Sequence, residues 1–369
     1  MNFLNYTKSE NTQTAVIHLK INSRDLMNIL AELHYKKYGF FPDKIEPLRS
    51  DGSDRKIYRV FSGEKTVIGI IGNNYGENAA FLSFSKHFKK SGLRVPEIFI
   101  QDLESGAYLE EDLGDDTLFL WMMNIRNKYG LTEQVKDMYR QVIEYLPNFQ
   151  ITEGINLDYS FCYQHDEFGE ESMLWDLNYF KHRFLDEFYK YPLDDTALKA
   201  DFFTLINFLL EEDLSHFLYR DFQSRNVMIK NNLPYFIDYQ SGRHGALQYD
   251  VASLLYDAKA DLPEPFREEL IQVYLKRAQK FAPVNPDRFL KYFYGFVLIR
   301  IMQAFGAYGY LSVVKKKKHF FKSVPFAINN LKILLEKKLP ILEKMPTLAS
   351  IYSNLLSDQS LTKFEKVDE

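Results

Sequence analysis

The 369-residue chain has one cysteine, Cys162, so it can close no internal disulfide, and no second thiol offers a metal pair. Such usage fits a reducing, cytoplasmic setting. Charge of one sign is also lacking: 46 Lys and Arg stand against 50 Asp and Glu, a net charge of -4. That balance gives no support to a nucleic-acid partner. The start "MNFLNYTKSENTQT" has no basic residues followed by an apolar run, and no secretory signal is expected. The nearest approach to a membrane span, "FYGFVLIRIMQAFGAYGYLSVV" (293–314), is interrupted by Arg300 and Gln303. A charge at that depth is costly in lipid, so a buried helix of a soluble domain is expected and no membrane partner. The "KKKKH" run at 315–319 reads as a solvated helix end. No internal repeat or low-complexity linker divides the chain.

Hydrophobic residues at 46% and charged residues at 26% are enough for a sizeable core. With 31 Phe and 25 Tyr, that core is expected to be rich in aromatics. The length allows two domains or one bilobal unit.

Local patterns divide the chain in two. A helix is predicted from Ser23 to Tyr38, with Ser23 as its cap and Leu26, Ile29, Leu30 and Leu33 as its apolar stripe. "IEPLR" (45–49), "KIYRVF" (56–61) and "TVIGII" (66–71) read as strands with turn residues between them. "ENAAFLSFSKHFKKSG" (77–92) reads as a helix, and "VPEIFIQD" and "AYLEED" as two more strands. After "EDLGDDT" the pattern turns helical, with helices expected near 118–128, 132–147, 173–190 and 196–212 and again from about 248. The fold class is thus α+β. Residues 1–114 form a lobe of helix and five-stranded sheet, 115–345 a helical lobe and 346–369 a tail, with "LEEDLG" (109–114) as the joint.

One stretch breaks the helical series. In "FLYRDFQSRNVMIKNNLPYFIDYQ" (217–240), the apolar runs 227–229 and 235–237 flank "KNNLP", a turn. Folded as a hairpin, it brings Asn226 and Asp238 to the same open end. Two side-chain oxygens meeting there suit Mg²⁺, which takes few protein oxygens beside phosphate and water. Asp221 precedes Asn226 by five residues, on the loop entering the hairpin. That spacing alone recurs by chance; its place before a hairpin and after a strand-rich lobe gives it weight.

"YRDFQSRNVMI" together with "YFIDYQSGRHGALQYDVASLL" resembles the aminoglycoside phosphotransferase and choline kinase-like family, and within it the bacterial kinases of N-acetylmuramate and N-acetylglucosamine. The likeness runs from about 45 to 310 and implies a protein-kinase-like bilobal fold and an ATP-dependent kinase. It implies Asp221 as the catalytic aspartate, accepting the proton of the attacking hydroxyl, and Asn226 and Asp238 as magnesium ligands. "DGSDR", with Ser53, Asp54 and Arg55, falls at the nucleotide-covering turn, and the backbone of Glu110, Glu111, Asp112 and Leu113 at the adenine.

The sequence departs from the family pattern in three places. Tyr219 stands where many members have His. The third strand has no Lys after Lys65, which leaves Arg55 or Lys56 to meet the phosphates. Gln240 replaces an acid.

Other residues have narrower readings. Glu77 could pair with a basic residue near the phosphates. Arg220 is expected to pair with an acid, and Asp250 to cap a helix and brace the loop. His216 and His244 read as packed or surface residues. For the acceptor, Trp175 and Asp176 on the 173–190 helix are candidates, with Arg183, Arg243 and Arg300 as cations for an acceptor carboxylate. The alternatives are an aminoglycoside or choline-like acceptor, and a nucleotide-binding pseudokinase acting as an adaptor.

Overall fold

The computed structural model describes residues 23–48 and 55–361. The expected turn residues Ser53 and Asp54, the cap on Ser23 and the last eight residues lie outside what is described.

The first lobe has the predicted elements. Helix α1 (Ser23–Tyr38) precedes β1 (Lys44–Pro47), β2 (Lys56–Ser62), β3 (Lys65–Ile71), α2 (Tyr75–Lys90), β4 (Ile98–Asp102) and β5 (Ala107–Glu111). The strands form one antiparallel sheet in the order β1-β2-β3-β5-β4. Alternation along each strand gives the sheet two apolar faces. The outer face packs Tyr58, Val60, Val67, Ala107 and Leu109 on Leu30 and Leu33 of α1. This approach needs glycine at position 69, where a Cβ would lie 2.9 Å from Leu30. The inner face turns Ile57, Ile68, Ile70 and Tyr108 toward α2 and the main core.

The second lobe contains α3 (Leu118–Tyr129), α4 (Glu133–Pro147), α5 (Glu170–Tyr179) and α6 (Asp195–Leu209). Short strands β6 (His216–Leu218), β7 (Val227–Lys230), β8 (Leu233–Phe236) and β9 (Arg243–Gly245) follow. Helices α7 (Leu247–Leu255), α8 (Glu264–Ala278), α9 (Pro286–Gly309), α10 (Val324–Glu336) and α11 (Pro346–Ser357) complete the lobe. The expected hairpin is present as β7 paired with β8, while β6 pairs with β9.

Helix α9 and the turn after it are long and apolar enough to cross a membrane, yet more than half of that stretch is buried inside the protein. Gly306 allows its close packing, since a Cβ there would lie 2.7 Å from Tyr179. The expected tail differs from the structure. Leu348, Ile351, Tyr352 and Leu355 of α11 are buried in the main core, and Leu348 N donates to Asp201 at 2.8 Å. An amphipathic helix this apolar has to cover its stripe against the lobe.

Candidate active site

The hairpin delivers its two ends to one point. Asn226 closes a short 3₁₀ turn (Ser224–Asn226) before β7, and Asp238 stands two residues beyond β8. Asn226 Nδ2 donates to Asp238 Oδ2 at 3.1 Å and to the carbonyl of Asp221 at 2.8 Å. Those two bonds bring Asp221, Asn226 and Asp238 together and leave Asn226 Oδ1 without a partner among the described residues. Gln240 Nε2 donates to Asp238 Oδ1 at 2.9 Å, so the amide holds a carboxylate that an acid at this position would repel.

Among the described residues no cluster of three His, Cys, Asp or Glu could hold a metal. An amide oxygen beside one carboxylate is a donor set suited to Mg²⁺, which keeps waters and phosphate oxygens as its other ligands.

The loop carrying Asp221 is braced from below. Asp250, in the first turn of α7, accepts from the amides of Tyr219 at 2.8 Å and Arg220 at 2.9 Å, and from Gln150 Nε2 at 2.9 Å. It does not cap the helix as expected, because Ala246 holds that position. Tyr219 OH donates to the carbonyl of Ile237 at 2.6 Å, tying the loop to the strand end before Asp238. Arg220 and Asp238 both have positive φ, at 78° and 70°, a cost that this web of bonds must hold in place. Burial and the charge of Asp238 raise the affinity of Asp221 for a proton, while Arg220, Arg300 and Arg243 oppose that.

Ile70, opposite Ile57 on β2 and Tyr108 on β5, is buried in the core. Arg55, just before β2 and 8% exposed, donates from Nε to Glu77 Oε1 at 2.9 Å. Its Nη2 lies 3.9 Å from Asp238 Oδ1, and the guanidinium sits over Phe81 at 5.8 Å. Glu77 occupies the first turn of α2, which Asn74 caps. Phe81, one helical turn further on, stacks on Tyr239 at 5.1 Å, so α2 is fastened to the residue next to Asp238.

At the joint, Leu113 has no partner for its amide or carbonyl among the described residues, while Glu111 N is bonded to Glu97 O and Asp112 O accepts from Lys230. Glu110 is buried and its Oε2 has no hydrogen-bond partner. Burial pushes its carboxyl up to about 8, against the nearby Arg55 charge. Two cations missed at the sequence level hold this joint. Arg59 of β2 reaches Asp112 at 2.7 Å and Asp115 at 2.8 Å, and Lys230 of β7 reaches Glu111 at 2.8 Å. Both pairings span more than fifty residues of sequence, and no local pattern announces them.

The acceptor candidates divide. Asp176 is wholly buried and receives both Arg220 Nη atoms at 2.6 and 2.8 Å, so it is spent on the loop and does not face an acceptor. Arg183, half-buried on the helical stretch Phe180–Tyr189 that continues α5, pairs with Glu187 at 2.6 Å and lies over the Tyr310 ring at 5.3 Å. Trp175 is 56% exposed and stacks on Tyr179 at 5.0 Å. Arg243 and Arg300 are buried near Asp221, where their charges act on it.

A small antiparallel sheet lobe over a helical lobe, with an acid–amide–acid group on a loop and hairpin between them, defines a protein-kinase-like phosphotransferase fold. The profile of the phosphotransferase enzyme family matches residues 44–287, and the chain belongs to that family. It is 25% identical over 241 residues to an N-acetylmuramate/N-acetylglucosamine kinase of Pseudomonas aeruginosa, covering 64% of this chain and 67% of that one. A kinase of the same name from Neisseria meningitidis is 24% identical, over 69% of this chain and 74% of the other. Among solved structures, the choline kinase LicA of Streptococcus pneumoniae superposes with a TM-score of 0.56 at 14% identity, over 84% of this chain and 98% of that one. The chain is a small-molecule kinase.

Proposed function

We propose that the protein transfers the γ-phosphoryl group of ATP to the anomeric hydroxyl of an N-acetylated amino sugar, in the cytoplasm. The observation that carries this reading is the meeting of Asp221, Asn226 and Asp238 through the two bonds of Asn226 Nδ2. Phosphoryl transfer asks a protein mainly for positioning and charge neutralisation. Here Asp221 takes up the hydroxyl proton as the oxygen attacks phosphorus, and its raised proton affinity suits that task. Asn226 Oδ1 and the Asp238 carboxylate hold Mg²⁺, which when bound neutralises charge on the phosphates. Arg55, kept in place by Glu77, lies on the phosphate side and does the work of the absent strand lysine. The free amide and carbonyl of Leu113 suit the adenine edge, and Ile57 and Ile68 form an apolar ceiling above it.

The sugar acceptor is supported by the two curated relatives named as N-acetylmuramate/N-acetylglucosamine kinases. Against the adaptor alternative, Arg55 offers a buried cation 3.9 Å from Asp238 that can serve in place of the absent strand lysine.

The test is a phosphorylation assay with ATP and Mg²⁺ against sugars, amino alcohols and aminoglycosides. Formation of an amino-sugar 1-phosphate, abolished by Asp221→Asn, is the expected result. Turnover of only choline-like alcohols or aminoglycosides overturns the acceptor, and nucleotide binding without any turnover overturns the kinase mechanism.

A further inference from the structure

Arg300 is a buried cation that the phosphate-handling groups do not use. It projects from α9 and is 8% exposed. Nε donates to Ser253 Oγ at 3.0 Å and Nη1 to Gln303 Oε1 at 2.6 Å, both neutral oxygens. Nη2 has no hydrogen-bond partner, and Arg300 has no carboxylate within ion-pair distance, among the described residues. Arg55 and Arg220, two further buried arginines near Asp238 and Asp221, each hold an acid at 2.6 to 2.9 Å.

Arg243, 4% exposed, resembles Arg300 in having only neutral partners, Ser241 O and Gln164 Oε1. Both charges act on Asp221. Arg243 also meets Tyr163, which abuts Gly76 at the start of α2. Arg300 is bonded to Ser253 of α7, the helix whose Asp250 braces the Asp221 loop, and its charge also meets Tyr249 and Tyr308 of the helical lobe, the side from which an acceptor would present its hydroxyl to Asp221.

A buried guanidinium without an anion is costly, and a ligand carboxylate that meets it recovers a charge-assisted, forked contact. We propose that Arg300 is the anion-reading residue of the acceptor pocket, and that the preferred acceptor is therefore an amino sugar bearing a carboxylate rather than its neutral twin. This rests on the amino-sugar kinase reading above. The competing role for Arg300 is electrostatic support of Asp221, and the two roles separate cleanly. A group that supports Asp221 serves every acceptor equally, whereas a carboxylate reader serves only acidic ones.

N-acetylmuramate and N-acetylglucosamine differ by one lactyl ether that carries the carboxylate, and so form the matched pair for a test. The measurement is the ratio of their kcat/KM values for wild type, Arg300→Met and Arg300→Lys, with thermal melts reporting that each variant is folded. The expected wild-type ratio is about 10 or more in favour of the acid, falling close to one in Arg300→Met and lying between in Arg300→Lys. A wild-type ratio at or below one overturns the inference, as does an equal proportional loss for both sugars in the two variants. Turnover of both sugars with equal efficiency removes the carboxylate subsite alone, while turnover of neither removes the sugar-kinase reading along with it.

Discussion

Arg220 and Asp176 form a forked ion pair, 2.6 and 2.8 Å across, in which the carboxylate is wholly buried and the guanidinium lies against the rings of Phe168 and Tyr249, at 4.9 and 5.1 Å. Arg220 is the residue before Asp221, and its φ of 78° fixes the turn that leads into the Asp221 carboxylate. The pair therefore joins α5 of the helical lobe to the geometry of the loop. Asp176→Asn leaves the guanidinium buried and unmatched, so a loss of about 3 kcal/mol of stability is expected by denaturant titration. The double variant Asp176→Leu, Arg220→Met should recover part of that stability, because no isolated charge remains. It should not recover kcat, because the turn is no longer held. Recovery of both would show that the pair serves only packing.

The Arg55–Glu77 contact leads to a prediction about the nucleotide. Arg55→Ala removes a cation that lies 3.9 Å from Asp238 and is proposed to meet the phosphates, and an increase of ~10- to 100-fold in KM for ATP, with a fall in kcat, is expected. Glu77→Gln keeps the hydrogen bond but loses the charge, and should show the same pattern more weakly. Arg55→Lys should recover only part of the loss, since one ammonium cannot serve both Glu77 and the phosphates through a fork. Unchanged kinetics in all three would assign the pair to α2 packing instead.

These contacts also mark the limit of what the sequence made legible. The β7–β8 hairpin could be read because its signal is local: two apolar runs, a turn with Asn231 and Asn232 at positive φ, and polar groups at both ends. The sheet and most helices were readable from periodicity for the same reason. Asp176 was misjudged because its partner Arg220 is 44 residues away, and an acid on a helix looks the same in sequence whether it faces solvent or a buried guanidinium. Arg59 at the joint was missed over a separation of 53 residues. Helix α11 was taken for tail because the polar residues after it hid a short apolar stripe whose burial is set by the rest of the lobe.

Asp221 provides the sharpest chemical prediction. Asp221→Asn retains the shape of the loop but cannot accept a proton, and a fall in kcat of about 10³-fold is expected with little change in nucleotide affinity. Calorimetry with ADP and Mg²⁺, beside steady-state rates, separates the two effects. If the variant kept most of its kcat, the hydroxyl proton would leave by another route and the role assigned to Asp221 would fall.

Glu110 gives a prediction in pH. Its carboxyl is buried beside Arg55 and Asp238 with Oε2 unpartnered, and burial raises it from 4.5 to about 8. The folded state thus holds a proton that the unfolded chain releases near pH 4.5. In the linkage relation stability falls with pH wherever the unfolded state binds fewer protons, so the contribution of this group is fully present below pH 4.5 and is lost as pH rises toward 8. The total is of order 3 kcal/mol, after allowance for relaxation around a buried site. Glu110→Gln is isosteric with the neutral acid and does not titrate. Denaturation midpoints of the nucleotide-free protein, taken across this range, should show the wild type losing stability relative to Glu110→Gln, with the largest gap at the alkaline end. Parallel curves for the two proteins would mean that Glu110 is ionised in the fold, with its charge met by Arg55.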